Sequence, residues 1–240
     1  MATAIIIGVG PLEGLGAQLA LNFSRLDLDV IVAGRTRAKL DAVVEHIESH
    51  GGSAHACVAD AANESQVQNL FDEAENRGSL QLAIYNAGNS TPGNITDMQA
   101  DYFRRSWETT CYGGFLFARE ASRRMQAAKS GTIIITGASA SLRGKAGFGA
   151  FNSAKAGLRT MAQALAKEVG PEGIHVAHVI IDGIIDGEKI RERAPEFYKS
   201  LGEEGRMSLQ GIVDAYEYLY KQEKTAWSFE LDLRTAIENW

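Results

Sequence analysis

The chain of 240 residues carries only two cysteines, Cys57 and Cys111, and only four prolines against 25 glycines. Two isolated thiols make neither a series of metal-ligand spacings nor a disulfide framework, which is the cysteine usage of a reduced compartment. With so little proline there is no polyproline linker, and no stretch is polar or repetitive enough to be low-complexity or disordered. Long hydrophobic runs are missing as well. The longest, around Ala4 to Ile7, falls far short of the roughly 20 residues that span a bilayer, and Met1-Ala2-Thr3 has no basic leader. Basic residues are outnumbered, 24 against 30 acidic ones, giving a net charge of −6 and a pI near 5.4. That balance disfavours a phosphate-backbone footprint. The expectation is a cytoplasmic protein with no nucleic-acid or membrane partner, leaving a small, even anionic, ligand open.

What the sequence does contain is one unit repeated. A β-branched run at Ala4-Ile5-Ile6-Ile7 ends in glycines and is followed by a helix over Ala17 to Phe23. Val30 to Ala33 is a second strand, and Leu40, Val43, Val44 and Ile47 then fall at helical spacing until Gly51-Gly52 stops them. Strands over Ala54 to Ala59 and Leu80 to Tyr85 flank a helix marked by Val67, Leu70, Phe71 and Ala74. A long helix from about Met98 to Ala127 leads to Thr132-Ile133-Ile134-Ile135, and a helix over Phe151 to Val169 leads to a sixth strand, Ile174 to Ile181. Apolar runs alternating with helices predict a single doubly wound, mostly parallel α/β domain, a Rossmann-like three-layer sandwich. Trp227 to Arg234 alternates as a half-buried strand at the sheet edge, where with Trp240 it covers that edge or joins a subunit interface. His175 and His178, three apart on a strand, face opposite ways, so no metal pair forms. His46, His50 and His55 read as surface residues. Glu188 to Met207, charged and glycine-punctuated with Phe197, Tyr198 and Leu201 as apolar anchors, suits either a mobile substrate lid or a plain surface helix.

Ligands of such sheets bind outside the carboxyl ends of the strands. After the first strand comes Gly8-Val9-Gly10-Pro11-Leu12-Glu13-Gly14-Leu15-Gly16, a strand–turn–helix junction whose glycines let the backbone approach a pyrophosphate at a helix N-terminus. After the second strand stands Arg35, where an acid would otherwise take the adenosine ribose 2′-hydroxyl. Its planar fork suits a 2′-phosphate, favouring NADP(H) over NAD(H). Arg35 also reads as a solvated charge, and Glu13 nearby would repel the same phosphate.

With those residues in view, the chain resembles the short-chain dehydrogenase/reductase family over nearly its whole length. Gly10, Gly14 and Gly16, with Leu15 between them, match the family's spaced glycines, Asp60 its adenine-contacting aspartate, and Asn86-Ala87-Gly88 its signature after strand four. Val9 in place of a threonine, and Pro11-Leu12-Glu13 as filling of the loop, depart from the pattern. The resemblance implies a tyrosine that exchanges a proton with substrate, a lysine four residues later, a serine on the substrate oxygen and an asparagine completing a relay. Here the lysine is Lys155 but the tyrosine position is Phe151, which has no titratable proton and excludes acid–base work there. The serine position falls on Ala138. Ser139 is one residue out and substitutes only if the strand bulges or has already ended. The asparagine position falls on Thr110. Lys155 is also the family's ligand of the nicotinamide ribose hydroxyls, its bland alternative being a lysine on a solvated helix face.

After strand six the family's Pro-Gly and carboxamide-holding threonine are replaced by Asp182, Gly183, Ile184, Ile185 and Asp186. Gly183 and Ile184 stand at the cofactor position. Asp182 and Asp186 read as a replacement acid–base pair, a hydroxyl anchor or, the favoured reading, caps of the next turn. The leading expectation is an atypical oxidoreductase that moves hydride between NADP(H) and a small carbonyl or alcohol, with the proton from water, Ser139, Asp182 or the substrate. The alternative is a nucleotide-binding relative without redox activity, acting as sensor or partner subunit or in non-redox chemistry. The family's habit implies a homodimer or homotetramer.

Overall fold

The computed structural model describes residues 2–239. Its centre is a seven-stranded sheet, every neighbouring pair parallel, in the order β3-β2-β1-β4-β5-β6-β9. The strands are β1 (Ala2–Ile7), β2 (Leu28–Gly34), β3 (Ser53–Val58), β4 (Ser79–Tyr85), β5 (Gly131–Thr136), β6 (Ile174–Asp182) and β9 (Glu230–Arg234). Consecutive side chains of a strand point to opposite faces, and β1 shows what that does to an all-apolar run. Ala4 and Ile6 enter one core, and Ile5 and Ile7 the other. The first core is closed by α1 (Leu15–Ser24), α2 (Arg37–Ser49) and α9 (Leu209–Tyr220). The second is closed by α3 (Glu64–Arg77), α5 (Gly113–Gln126) and α6 (Gly149–Val169). The doubly wound three-layer architecture read from the sequence is the one observed.

Strand order reverses between β1 and β4, so the crevice outside their carboxyl ends is the topological switch point at which such sheets take ligands. Everything described below as a site lies along that edge or on the loops that leave it.

Three readings need correcting. The edge strand read over Trp227 to Arg234 is present as β9, paired with β6 from His178–Glu230 to Asp182–Arg234, but it starts at Glu230 rather than Trp227. Trp227 instead stacks on His175, ring centroids 5.0 Å apart. The long helix is not continuous: α4 (Ala100–Trp107) and α5 are separated by a π-helical turn over Glu108–Tyr112. Tyr85 explains the break, because its buried hydroxyl donates to the Thr109 carbonyl and, with the Ala61 carbonyl, leaves no room for a side chain at Gly113. Two further strands, β7 (Ile184–Ile185) and β8 (Arg206–Met207), form a small parallel pair. They fasten the segment between them, which holds α7 (Glu188–Arg193) and α8 (Pro195–Ser200). There Phe197 is no anchor, being 48% exposed. Trp240 lies outside the described residues.

Candidate functional site

The glycine-rich turn is built around approaches that only hydrogen permits at Cα. Gly8 has φ of +92°, and a Cβ there would lie 2.5 Å from Ala87 N. A Cβ at Gly16 would lie 2.9 Å from the Gly8 carbonyl oxygen and 3.2 Å from Asn86 Nδ2. Asn86 donates to that same carbonyl at 3.2 Å, so the segment Asn86-Ala87-Gly88 after β4 braces the turn from below. Gly10 is different. Nothing lies within 4 Å of where its Cβ would be, which leaves open space above the turn. Gly14 is the N-cap of α1 with no side chain to occupy the free amides, and Leu15 behind it is buried. This cradle could hold a pyrophosphate. Asp60, just after β3, accepts from the Ala62 amide at 3.0 Å, and Arg35 stands exposed immediately after β2.

Lys155 is the chemical centre of the edge. It is buried, 5% exposed, and its Nζ donates to the Thr136 carbonyl at 2.7 Å. The solvated-face reading of Lys155 therefore fails. Burial alone pushes its pKa down to about 8, since a charged ammonium loses its hydration there. The Phe151 ring, one helical turn earlier, has its centroid 5.9 Å from Nζ. A Cβ at Gly88 would lie 3.6 Å from Lys155 Nζ and 3.8 Å from Thr110 Oγ1, so Thr110 and Lys155 flank one spot. Thr110 is fully buried, and its hydroxyl has no hydrogen-bond partner among the described residues. A buried hydroxyl left unpaired in a protein costs free energy, which marks the spot as built for a polar group. Lys155 and Thr110 could thus line a nicotinamide ribose site. Among the described residues no group of three metal-ligating side chains forms.

Asp182 and Asp186 are not caps. Asp182 ends β6 and is 2% exposed, with both its carboxylate oxygens within 3.0 Å of Arg143 Nη2 and one of them 3.9 Å from Arg234. A carboxylate brought into the sheet needs cations, and two arginines from other segments reach it where a turn amide would not. Asp186 accepts from the Tyr198 hydroxyl at 2.7 Å, while the N-cap of α7 is Gly187. Gly183, with Met207 Sδ 2.9 Å from where its Cβ would be, and half-buried Ile184 start the β7–β8 pair. Ser139 meets the condition set for it, because β5 ends at Thr136 and Ser139–Ser141 form a separate 3-10 turn. Its hydroxyl has no hydrogen-bond partner among the described residues.

Sequence reasoning missed a second constellation beside this one. Ser141 Oγ lies 3.3 Å from His178 Nε2, His178 Nδ1 lies 3.0 Å from Glu230 Oε2, and Glu230 is gripped by Arg159 at 2.6 and 2.8 Å. His178 is fully buried, and burial pushes it down to about 4 against the opposing pull of Glu230. Its ring fills the space a side chain at Gly137 would need, coming within 2.3 Å of that Cβ position. The only sequence signal was the odd histidine in an otherwise apolar strand. Its partners come from the 3-10 turn, α6 and β9, and no spacing links them.

An all-parallel sheet with a glycine-braced cradle at its switch point and a buried lysine beside it defines a dinucleotide-binding α/β protein of the NAD(P)-dependent oxidoreductase class. The model of the short chain dehydrogenase family matches residues 2–196, and the chain belongs to that family. It is similar to versicolorin reductase 1 of Dothistroma septosporum, 30% identical over 197 residues, 81% of this chain and 73% of that protein. It is also similar to an NADPH-dependent aldehyde reductase-like protein, chloroplastic, of Arabidopsis thaliana, 27% identical over 85% of this chain and 81% of that protein. Among solved structures, a short-chain dehydrogenase from Rhodopseudomonas palustris is 37% identical, covers 97% of this chain and 98% of its own, and superposes with a TM-score of 0.84. An actinorhodin polyketide ketoreductase variant with NADPH, only 18% identical over 100% of this chain and 98% of its own, shares the fold at a TM-score of 0.89. No helix of the described residues is long and apolar enough to cross a membrane.

Proposed function

We propose that this protein is an NADP(H)-dependent oxidoreductase interconverting a small carbonyl compound and its alcohol, in which Lys155 handles the proton that a tyrosine handles in the family at large. The observation that carries the reading is Lys155 itself, an ammonium buried beside the cradle that, among the described residues, has a single carbonyl acceptor, Thr136, and no carboxylate to hold it charged. The reductase names and the NADPH of its relatives support the redox class and the cofactor.

In this reading Gly8, Gly10, Gly14 and Gly16 admit the pyrophosphate, Arg35 takes the 2′-phosphate, Asp60 lies toward the adenine, and Thr110 and Lys155 face the nicotinamide ribose. Nicotinamide, when bound, supplies or accepts the hydride. The proton remains this chain's task. Phe151 occupies the position of the family's tyrosine and has no proton to give, while the Asp182 carboxylate is taken up by its ion pair with Arg143. Ser139 supplies a hydroxyl that orients the substrate oxygen. An ammonium near neutrality both gives a proton readily and regains it readily, which suits general acid–base work. Glu188 to Met207 forms the substrate lid, and a homodimer or homotetramer in the cytoplasm is the assembly and location we assign.

The test is NADPH oxidation across aldehydes, ketones and diketones by the wild type, Lys155→Met and Phe151→Tyr with Ala138→Ser. Turnover by the wild type that falls at least 100-fold in Lys155→Met, and does not rise tenfold in the double variant, supports the reading. If the wild type turns over nothing while it still binds NADPH, the redox-inactive sensor or partner reading replaces it.

A further inference from the structure

We propose that α7 completes the cofactor's 2′-phosphate site, with Lys189 as the second phosphate ligand beside Arg35 and Arg193 as the outer one. This deepens the NADP(H) reading above and rests on it.

The argument begins with the unusual filling of the glycine turn. Glu13 forms an ion pair with Arg191 of α7, and the Glu13 carbonyl accepts from the Glu188 amide at 3.0 Å. Gly187 packs so closely that a Cβ there would be 2.9 Å from that carbonyl oxygen. The start of α7 is therefore seated on the rim of the cradle. Arg35 is delivered to the same rim from the other side. The amides of Gly8 and Val9 both donate to the Ala33 carbonyl at 3.0 Å, and a Cβ at Gly34 would lie 2.6 Å from the Val9 carbonyl oxygen.

These two seatings gather cations. Lys189 is exposed along its length, yet its ammonium is held below the ordinary lysine range, first by partial loss of hydration among its neighbours and then by the like charges of Arg193 and Arg35. None of Arg35, Lys189 and Arg193 has an ion-pair partner among the described residues, and neither Glu188 nor Glu192 pairs with any of them. Glu13, the acid that would repel a phosphate, is already neutralised by Arg191. Like charges held together without a counter-ion repel, and a dianionic phosphate monoester is the ligand that relieves them. The glycine turn touches both seatings, through Glu13 to α7 and through Val9 to Gly34, which puts a monoester here and a pyrophosphate in the cradle within reach of one molecule.

Calorimetric titration of 2′,5′-ADP and 5′-AMP, which differ only in the 2′-phosphate, separates the possibilities without any turnover. The wild type should bind 2′,5′-ADP at least tenfold more tightly. Lys189→Ala should lose at least fivefold for 2′,5′-ADP and stay within twofold for 5′-AMP, Lys189→Arg should restore it, and the wild-type preference should fall as salt rises. Hydrogen exchange over 188–193 should slow with 2′,5′-ADP and not with 5′-AMP. If Arg35→Ala abolishes the preference while Lys189→Ala and Arg193→Ala leave it whole, α7 is not part of the site and the NADP(H) reading stands. Equal binding of the two compounds by the wild type overturns both.

Discussion

Arg143 Nη2 sits 3.0 and 2.9 Å from the two carboxylate oxygens of Asp182, joining the loop after β5 to the end of β6 across the mouth of the site. Because the carboxylate is buried and the guanidinium is not, the two halves of this pair are unequal. Removing the arginine strands a charge, whereas removing both leaves little behind. Arg143→Ala should lower stability by about 1–3 kcal/mol, at the low side of buried-pair losses because Arg143 reaches water and Arg234 stays within 3.9 Å. Arg143→Ala with Asp182→Asn should recover most of it. Urea melts of the three proteins decide the matter, and equal losses in the single and double variants would refute the asymmetry.

Lys155 is destabilising where it sits. Its folded-state pKa is depressed from 10.5 to about 8, so between those values the unfolded chain binds the extra proton and stability rises with pH. Below about 8 the penalty is fully present, on the order of 3 kcal/mol. Lys155→Met should therefore be more stable than the wild type at pH 7 in the absence of ligand, by up to about that amount, and the difference should shrink toward pH 10. Under the proposed role, kcat/KM for reduction by the wild type should fall above about pH 8 as the ammonium is lost. A pH profile flat from 6 to 9 would contradict that role.

His178 produces the same effect at lower pH. Its pKa is pushed down to about 4 from 6.5, so as pH falls through that window the unfolded chain takes up the proton first and the native state loses ground. The loss should approach about 3 kcal/mol by pH 4. His178→Gln, which keeps polar atoms for Ser141 and Glu230, should flatten the stability-against-pH curve between 6.5 and 4 even if it is less stable at pH 7. An unchanged slope would mean another group governs the acid limb.

The glycines of the turn should divide by cause. Gly8→Ala combines a positive φ with a Cβ 2.5 Å from backbone and should cost about 2–4 kcal/mol of stability. Gly10→Ala meets nothing within 4 Å and should change stability by less than about 0.5 kcal/mol, while weakening NADPH binding at least tenfold. Thermal melts with and without NADPH read both effects. A destabilised Gly10→Ala, or one that binds as before, would remove Gly10 from the cofactor site.

How much of this was legible beforehand follows from where the determining forces act. Strand positions such as Ala4 to Ile7 and helix stripes such as Val67, Leu70, Phe71 and Ala74 are local statements of period. Burial on both sheet faces makes a near-continuous apolar run mean a parallel strand wherever it occurs. The glycine turn, Arg35, Asn86-Ala87-Gly88 and the Phe151–Lys155 spacing were likewise readable, because each lies within one junction. The π-turn at Glu108–Tyr112 was not, since its cause is the Tyr85 hydroxyl reaching across from β4. The start of β9 at Glu230 was hidden for the same reason: its alternating pattern begins earlier, but only β6 decides where pairing begins.

The sequence by itself determined the layered α/β order, the cradle and the presence at residue 151 of a side chain that cannot titrate, because backbone conformation and side-chain chemistry are properties of a residue and its near neighbours. Tertiary structure alone decided which charges meet. Asp182 became the partner of Arg143 instead of a cap, Glu13 the partner of Arg191 instead of a repellent, and His178 the bridge between Ser141 and Glu230. Electrostatic pairing depends on distance in space and on the water excluded between the groups, and neither is written in the spacing along the chain.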